Sequence, residues 1–314
     1  MAAVKKFNFK RMLAVIIAIL FLFSAISLVV TKIVYDGMFV RYDCALTDFP
    51  EPLSAMLSAR REKQFLSGEN TLSGYLYDSP AENPHDTLVI LAPGFRSCAD
   101  SYLWQIKSLL DYGWSVFAFN PTGSCTSSGD SAVGFSQEIC DVEATLKYVE
   151  MNDRFGYNNL VLFGHSLGGY AACCSLEFDY DLAAVISVSG INSAMEGVMG
   201  PSVRKVGPVA YGNYGFLWAY QAMLFGTKML NLDASREISE SRVPVLIVHG
   251  QNDREVPLDR YSIISHKAEI TSENIEYIVC SDPGSSGHTD LLFGEDGMAN
   301  ERLMQQINSF LERI

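Results

Sequence analysis

The sequence predicts an α/β fold, a mostly parallel sheet flanked by helices, preceded by a transmembrane helix. Three observations predict it. From Thr87 onward, short apolar runs of strand type alternate with segments whose apolar residues recur at helical spacing. One run, Leu160 to Phe163, passes through Gly164-His165-Ser166-Leu167-Gly168 into a small-residue stretch of helical character, so a strand turns sharply into a helix around a serine. At the amino end, Lys5, Lys6, Lys10 and Arg11 precede an uncharged run from Met12 to Thr31.

That run is long enough to cross a bilayer as a helix, which takes about 20 apolar residues. Its basic flank lies on the N-terminal side, which keeps the N-terminus cytoplasmic and exports the rest. A cleaved signal peptide has a shorter apolar core, of about 7–15 residues, ending in a small-x-small site. Here Ser24-Ala25-Ile26-Ser27 sits inside the apolar stretch. The expectation is an uncleaved anchor in a cell membrane, with secretion after cleavage as the alternative. The chain then divides into a basic flank and anchor over 1–32, a connector over 33–63 and an α/β domain over 64–314.

Five of the 23 basic residues and none of the 36 acidic ones lie in residues 1–32, so the remainder carries a formal net charge of −18. Such a surface repels nucleic acid. The seven cysteines include no Cys-x-x-Cys spacing, so no metal site is expected. In an exported domain some can pair. Cys98 and Cys125, on loops at the same end of the sheet, are one candidate pair, and buried free thiols are the alternative.

The elements follow in order. Pro50 and Pro52 break the connector, and Leu53 to Lys63 reads as a short helix. Gln64–Ser67 and Leu72–Tyr77 read as strands around the turn Gly68-Glu69-Asn70. Thr87–Ala92 is a continuous apolar run suited to a buried parallel strand. Ala99–Tyr112 reads as a helix, Trp114–Asn120 as a strand, and Pro121–Gly134 as a long Gly/Ser/Thr loop. Ser136–Asn152 reads as a helix with Ser136 as N-cap. Strands follow at Leu160–His165, Ala183–Ser189, Val243–His249 and Ile275–Cys280, with a helix from Leu258 to Glu269 and an amphipathic helix from Asn300 to Ile314. Ile191–Arg242 contains no strand and is rich in Gly, aromatic residues and Met, which suits a cap over the catalytic edge, about residues 191–242.

In a strand–turn–helix context, Gly-x-Ser-x-Gly is a nucleophile elbow. The turn strains the backbone at Ser166 and presents its hydroxyl at a helix N-terminus. A serine nucleophile needs a base and an orienting acid. Of the five histidines, His288 is placed for the base, on the loop Asp282-Pro283-Gly284-Ser285-Ser286-Gly287-His288 after the last strand. His165 abuts the nucleophile but points elsewhere in an elbow. His249 ends a strand and reads as packed, and His85 and His266 read as surface residues. The acid is expected between Ser166 and His288 in chain order. Asp253, just beyond the strand ending in His249, fits, with Glu255 as the nearest competitor. An oxyanion needs two convergent N–H donors. The Leu167 amide supplies one, and the loop Pro93-Gly94-Phe95-Arg96-Ser97 supplies the other through Phe95.

Gly164-His165-Ser166-Leu167-Gly168, Gly250-Gln251-Asn252-Asp253 with Val256-Pro257, and Gly287-His288 together resemble α/β-hydrolase-fold serine hydrolases of the esterase, monoacylglycerol-lipase and serine-aminopeptidase-like kind. The resemblance covers roughly residues 64–314. It implies an eight-stranded, mostly parallel sheet with an antiparallel strand from the first hairpin. It also implies ester cleavage through Ser166, His288 and Asp253 on a small-molecule ester or acyl substrate, with no cofactor. Two departures stand out. Pro93-Gly94 replaces the usual His-Gly, and Asn120-Pro121-Thr122-Gly123-Ser124 lacks the Asp and Arg of the usual Asp-x-Arg-Gly-x-Gly-x-Ser loop. Amide or peptide cleavage by the same triad, and a non-catalytic binding ectodomain on this fold, are the rival expectations.

Overall fold

The computed structural model describes residues 9–44 and 49–314; Lys5 and Lys6 of the basic flank lie outside the described residues. The chain opens with a long helix, α1 (Phe9–Met38), and a short one, α2 (Leu53–Ala59). A hairpin follows, β1 (Arg61–Ser67) and β2 (Asn70–Tyr77), and then β3 (Thr87–Ala92), α3 (Leu103–Asp111), β4 (Ser115–Asn120) and α4 (Phe135–Met151). The central unit is β5 (Asn159–His165), α5 (Leu167–Cys174) and β6 (Ala184–Val188). Between β6 and β7 (Val245–Gly250) lie three helices, α6 (Ala194–Val206), α7 (Tyr214–Leu230) and α8 (Ala234–Glu240). β8 (Ile275–Cys280) and α9 (Glu301–Leu311) close the chain.

The eight strands form one sheet in the order β1-β2-β4-β3-β5-β6-β7-β8. β2 runs antiparallel to both its neighbours, and every other pairing is parallel. After β3 the chain adds β4 on one side and β5 on the other, which makes the carboxyl ends of β3 and β5 the switch point where such sheets hold their chemistry. The central strands are buried on both faces because helices cover both. Leu88, Ile90 and Leu162 face α4 and α5, while Val89, Leu91 and Phe163 face α3 and α9.

Several expected elements shift. The helix at Ser136 begins one residue earlier, with Gly134 at its cap, so Ser136 lies inside the first turn with a buried Oγ that has no partner. The span 258–269 is not a helix but a short 3₁₀ turn, Ile263–His266. There Ser262 Oγ donates to the Leu258 carbonyl at 2.6 Å and accepts from the Ser265 amide at 3.0 Å, local bonds that compete with helix continuation.

The cysteine pairing is corrected as well. Cys125 is joined to Cys44, with Cα atoms 5.0 Å apart, and Cys98 is a free, buried thiol. The connector after α1 lies along the β4–α4 loop, where the Tyr42 amide donates to Gly123 O at 2.9 Å and the Cys125 amide to Tyr42 O at 2.7 Å, and this brings Cys44 to Cys125.

That loop lacks its usual internal Asp and Arg, and two outside residues substitute for them. Arg41 donates to the carbonyls of Ser127 and Gly129 at 2.9 Å each, and to that of Cys125. Asp141, fully buried on α4, accepts from Ser67 Oγ (2.6 Å), the Thr122 amide (2.7 Å), Thr122 Oγ1 (2.8 Å) and Gln137 Nε2 (2.9 Å). Asp141→Ala leaves these donors unpaired, and each buried orphan costs about 1–3 kcal/mol. Urea unfolding of this variant is expected to show a loss on the order of 3 kcal/mol. A loss below about 0.5 kcal/mol, the range of an ordinary surface substitution, contradicts the role.

Candidate active site

Ser166 sits at the corner between β5 and α5 with φ 55° and ψ −114°, a left-handed conformation that costs a non-glycine residue energy. The corner is possible only because its neighbours lack side chains. A Cβ on Gly164 would lie 2.1 Å from Gly168 O, and one on Gly168 would lie 2.1 Å from Ala92 O at the end of β3. The Ser166 amide donates to Val188 O on β6 at 2.8 Å, which fixes the corner to the next strand.

The loop after β8 brings His288 over this corner, and Ser166 Oγ lies 2.8 Å from His288 Nε2. On the other side of the ring, His288 Nδ1 lies 2.7 Å from Asp253 Oδ2. Asp253, on the turn after β7, has a fully buried carboxylate. Its Oδ1 accepts from the amides of Glu255 (2.9 Å) and Val256 (2.8 Å), which leaves Oδ2 for imidazoles. Burial alone would raise the Asp253 pKa. Hydrogen bonds from His249, His288 and the Val256 amide outweigh it and hold the carboxylate well below its ordinary 3.8, so it is ionised at neutral pH.

The competing acid is elsewhere. Glu255 has an exposed side chain whose Oε2 lies 3.9 Å from His288 Nε2, on the serine side of the ring. Leu167 is the first residue of α5, so its amide has no intrahelical acceptor. In the β3–α3 loop the Gly94 amide is taken by Tyr102 Oη at 2.9 Å, leaving Phe95 as the next amide along. Phe95 and Leu167 line the cleft at Ser166 together with Ile191, Gly197, Pro201, Val256 and Tyr261, a volume of about 340 Å³. Glu196, Arg204 and Glu255 are its charged walls. A larger cavity of about 790 Å³ lies next door and shares Glu196 and Tyr261 with this cleft, but neither Ser166 nor His288 lines it.

Three histidines do more than sequence reasoning assigned them. His249 is buried, with Nε2 2.9 Å from Val256 O and 3.2 Å from Asp253 Oδ2, behind the His288–Asp253 pair. His266 is not a free surface residue: it bridges Glu196 Oε1 (3.1 Å) and Glu269 Oε1 (3.2 Å). His165 links two loops of the site. Its Nε2–H donates to the His288 carbonyl at 3.0 Å, so its Nδ1 accepts from Tyr102 Oη at 2.8 Å, and Tyr102 Oη accepts from Gly94. The β3–α3 loop and the His288 loop are thus joined through one buried imidazole. Sequence reasoning placed each residue locally, and a link spanning 123 positions left no local signal. Among the described residues, the group close enough to share a metal is Cys44, Cys98 and Cys125, and two of these are already joined as a disulfide.

The His165 chain has a pH signature. Burial, with His288 nearby, lowers the His165 pKa from an ordinary 6.5 to about 3. The folded state holds the neutral ring, so its contribution to stability is complete above pH 6.5 and is lost as pH falls toward 3. His165→Gln removes that proton uptake. Its unfolding free energy is expected to fall less steeply than wild type between pH 6.5 and about pH 4, by up to about 1.4 kcal/mol per pH unit. Parallel profiles contradict the assignment.

A family model described as "Alpha/beta hydrolase family" matches residues 89–297. The quorum-quenching protein AidA of Acinetobacter baumannii (strain MDR-ZJ06) is 22% identical over 308 residues, covering 83% of this chain and 97% of that protein. The Pyrococcus furiosus esterase Pf2001 superposes with a TM-score of 0.64 at 19% identity, covering 87% of this chain and 98% of the esterase. Est1E from Butyrivibrio proteoclasticus, solved with ferulic acid bound, superposes at 0.58 with 16% identity, covering 80% and 98%. The two structural likenesses, at such identities, establish the fold: an eight-stranded, mostly parallel hydrolase sheet flanked by helices.

Proposed function

This chain belongs to the Alpha/beta hydrolase family, and from that premise we propose that it is a membrane-anchored serine hydrolase of carboxylic esters. The observation that carries the reading is the unbroken line from Ser166 Oγ to His288 Nε2 at 2.8 Å and from His288 Nδ1 to Asp253 Oδ2 at 2.7 Å. His288 Nε2 takes the Ser166 proton as Oγ bonds the acyl carbon. The carbonyl electron pair moves to oxygen, where the Leu167 and Phe95 amides donate to it. Asp253 holds the Nδ1–H tautomer and stabilises the imidazolium. His288 then gives its proton to the leaving alkoxide as the C–O bond breaks. Water, deprotonated by the same ring, releases the acid and restores Ser166. Protein groups and water carry every step.

α1 supports the anchor. It is one helix of 30 residues, long and apolar enough to cross a membrane. Tyr35 and Phe39, at and just past its C-terminal end, are fully buried in the main core. Both follow Ser24–Ser27, so they join the end of α1 to the domain with or without cleavage there, and the retained anchor rests on the length of the apolar run. The Cys44–Cys125 disulfide suits an oxidising compartment outside the cytoplasm. In this reading the α6–α8 insertion is the cap, since Ile191, Gly197 and Pro201 wall the cleft.

Amide cleavage has one observation in its favour. Glu196 lines the Ser166 cleft, and Asp233, Glu240 and Glu269 join it around the adjacent cavity, an acidic setting for a substrate ammonium. His266 already bonds Glu196 and Glu269, which weakens that setting. A paired panel of p-nitrophenyl esters and aminoacyl p-nitroanilides separates the two readings: Ser166-dependent turnover of the anilides favours amide cleavage, and turnover confined to the esters favours ester cleavage.

The full-length protein is expected to react covalently with a fluorophosphonate probe, and Ser166→Ala and His288→Ala to lose the labelling. An unlabelled but folded wild type contradicts the serine-hydrolase reading. Asp253→Asn keeps the packing but permits the wrong His288 tautomer, so kcat is expected to fall by about 10³–10⁴. A change under about tenfold would remove Asp253 from the proposed machinery.

A further inference from the structure

The helix proposed to cross the membrane does not stand apart from the domain. Ser24, Ser27, Leu28, Thr31 and Tyr35 recur at three- and four-residue spacing and are, with Asp36 and Met38, the less exposed positions of α1. They face the β6–β7 insertion. Asn213 Nδ2 donates to Thr31 Oγ1 at 2.9 Å, and Tyr220 Oη donates to Asp36 Oδ1 at 2.6 Å. The Phe23 and Phe216 rings meet edge-on with centroids 6.3 Å apart.

That last contact fixes a depth. Phe23 lies nine residues before Lys32, the first charge after the apolar run. At 1.5 Å per residue this is about 13 Å along the helix axis. A bilayer's hydrocarbon core is about 30 Å thick, the length of the uncharged run of α1. Whatever packs on Phe23 therefore lies past the level of Lys32, beside the spanning part of the helix. The segment there is the corner that runs from the end of α6 to the start of α7.

Its chemistry fits that place. No Asp, Glu, Lys or Arg occurs between Lys205 and Lys228, in a chain whose residues 33–314 carry a net charge of −18. Val209 is 74% exposed, and Val206, Tyr211 and Tyr214 are exposed beside it. Single exposed apolar residues are ordinary on any surface. An uncharged corner whose exposed residues adjoin a spanning helix is not. Its tyrosines suit the membrane interface, and Arg204 and Lys205, just before it, suit headgroup phosphates.

We propose that the corner Val206–Phe216 is a membrane-contacting surface, seated among the acyl chains of the outer leaflet against α1. The proposal rests on the reading of α1 as a spanning anchor. It makes the protein embedded at two places in the chain, the anchor and the cap, and sets the cap side of the Ser166 cleft close to the bilayer.

The test uses the full-length protein reconstituted into phosphatidylcholine vesicles containing a trace of a phospholipid with a diazirine in its acyl chain. After irradiation, tryptic peptides 12–32 and 206–228 are scored for lipid adducts by mass spectrometry, with 303–313 as the control, since α9 exposes a polar face and packs on the opposite side of the sheet from the end of α1. Adducts on 12–32 and 206–228 and none on 303–313 are expected. Adducts on 12–32 alone overturn the proposal and leave the anchor standing; a second copy or another protein seated on the corner gives that pattern. Adducts on neither overturn the anchor reading and this one with it. Val209→Asp, checked as folded by its fluorophosphonate labelling in detergent, is expected to cut adducts on 206–228 by roughly tenfold while those on 12–32 hold. An unchanged yield on 206–228 counts against the corner as the contact.

Discussion

The site depends on one backbone constraint, the corner that holds Ser166 at φ 55° between β5 and α5. The strain is sustained because the surroundings over-determine it. The Ser166 amide is tied to β6, and Gly164 and Gly168 let α5 approach both β5 and the end of β3. That approach matters for geometry beyond the serine. Gly168 packs on the Ala92 and Pro93 carbonyls, so the helix start that carries the Leu167 amide and the loop that carries the Phe95 amide are set against each other by one contact. His165, the residue before Ser166, then ties that loop to the His288 loop through Tyr102. One turn thus positions Ser166, the Leu167 and Phe95 amides and His288 together.

A second set of contacts joins the same loop to α1. Phe39 packs edge-on against Phe95 at 5.4 Å and Phe135 at 5.3 Å, and Arg96 Nη2 donates to Met38 O at 3.3 Å. The end of α1 is therefore part of the wall behind the β3–α3 loop. Arg41 and the Cys44–Cys125 disulfide hold the next residues of the connector to the β4–α4 loop. Among the described residues, α1, residues 39–44 of the connector and the β3–α3 and β4–α4 loops pack against one another.

The sheet and the candidate site were largely legible in the sequence. The continuous apolar run Thr87–Ala92 matches its strand residue for residue, as a strand buried on both faces should. Ser166, Asp253 and His288 were legible because each follows a strand, in one chain order. What stayed hidden lay between distant loops. Nothing near His249 shows that its Nε2 will reach Asp253 Oδ2, and nothing near Tyr102 shows that it will cap Gly94 and His165 together. Cys125 was paired with the wrong partner because the path of the connector, which brings Cys44 to it, is set by tertiary contacts. The 258–269 stretch is not the expected helix because Ser262 satisfies local bonds of its own, which nothing in the spacing of strands on either side reveals. The docking of α1 on the insertion was invisible, since lipid and protein accept the same apolar residues.

The central claim is covalent catalysis at Ser166. The most direct measurement is rapid-quench mass spectrometry of the full-length protein mixed with p-nitrophenyl butyrate in the pre-steady state. The account predicts a butyryl group on the peptide that contains Ser166, appearing with the first burst of p-nitrophenol and decaying with turnover. Steady hydrolysis with no acyl group on Ser166 at any time, or with the acyl group on another residue, contradicts it.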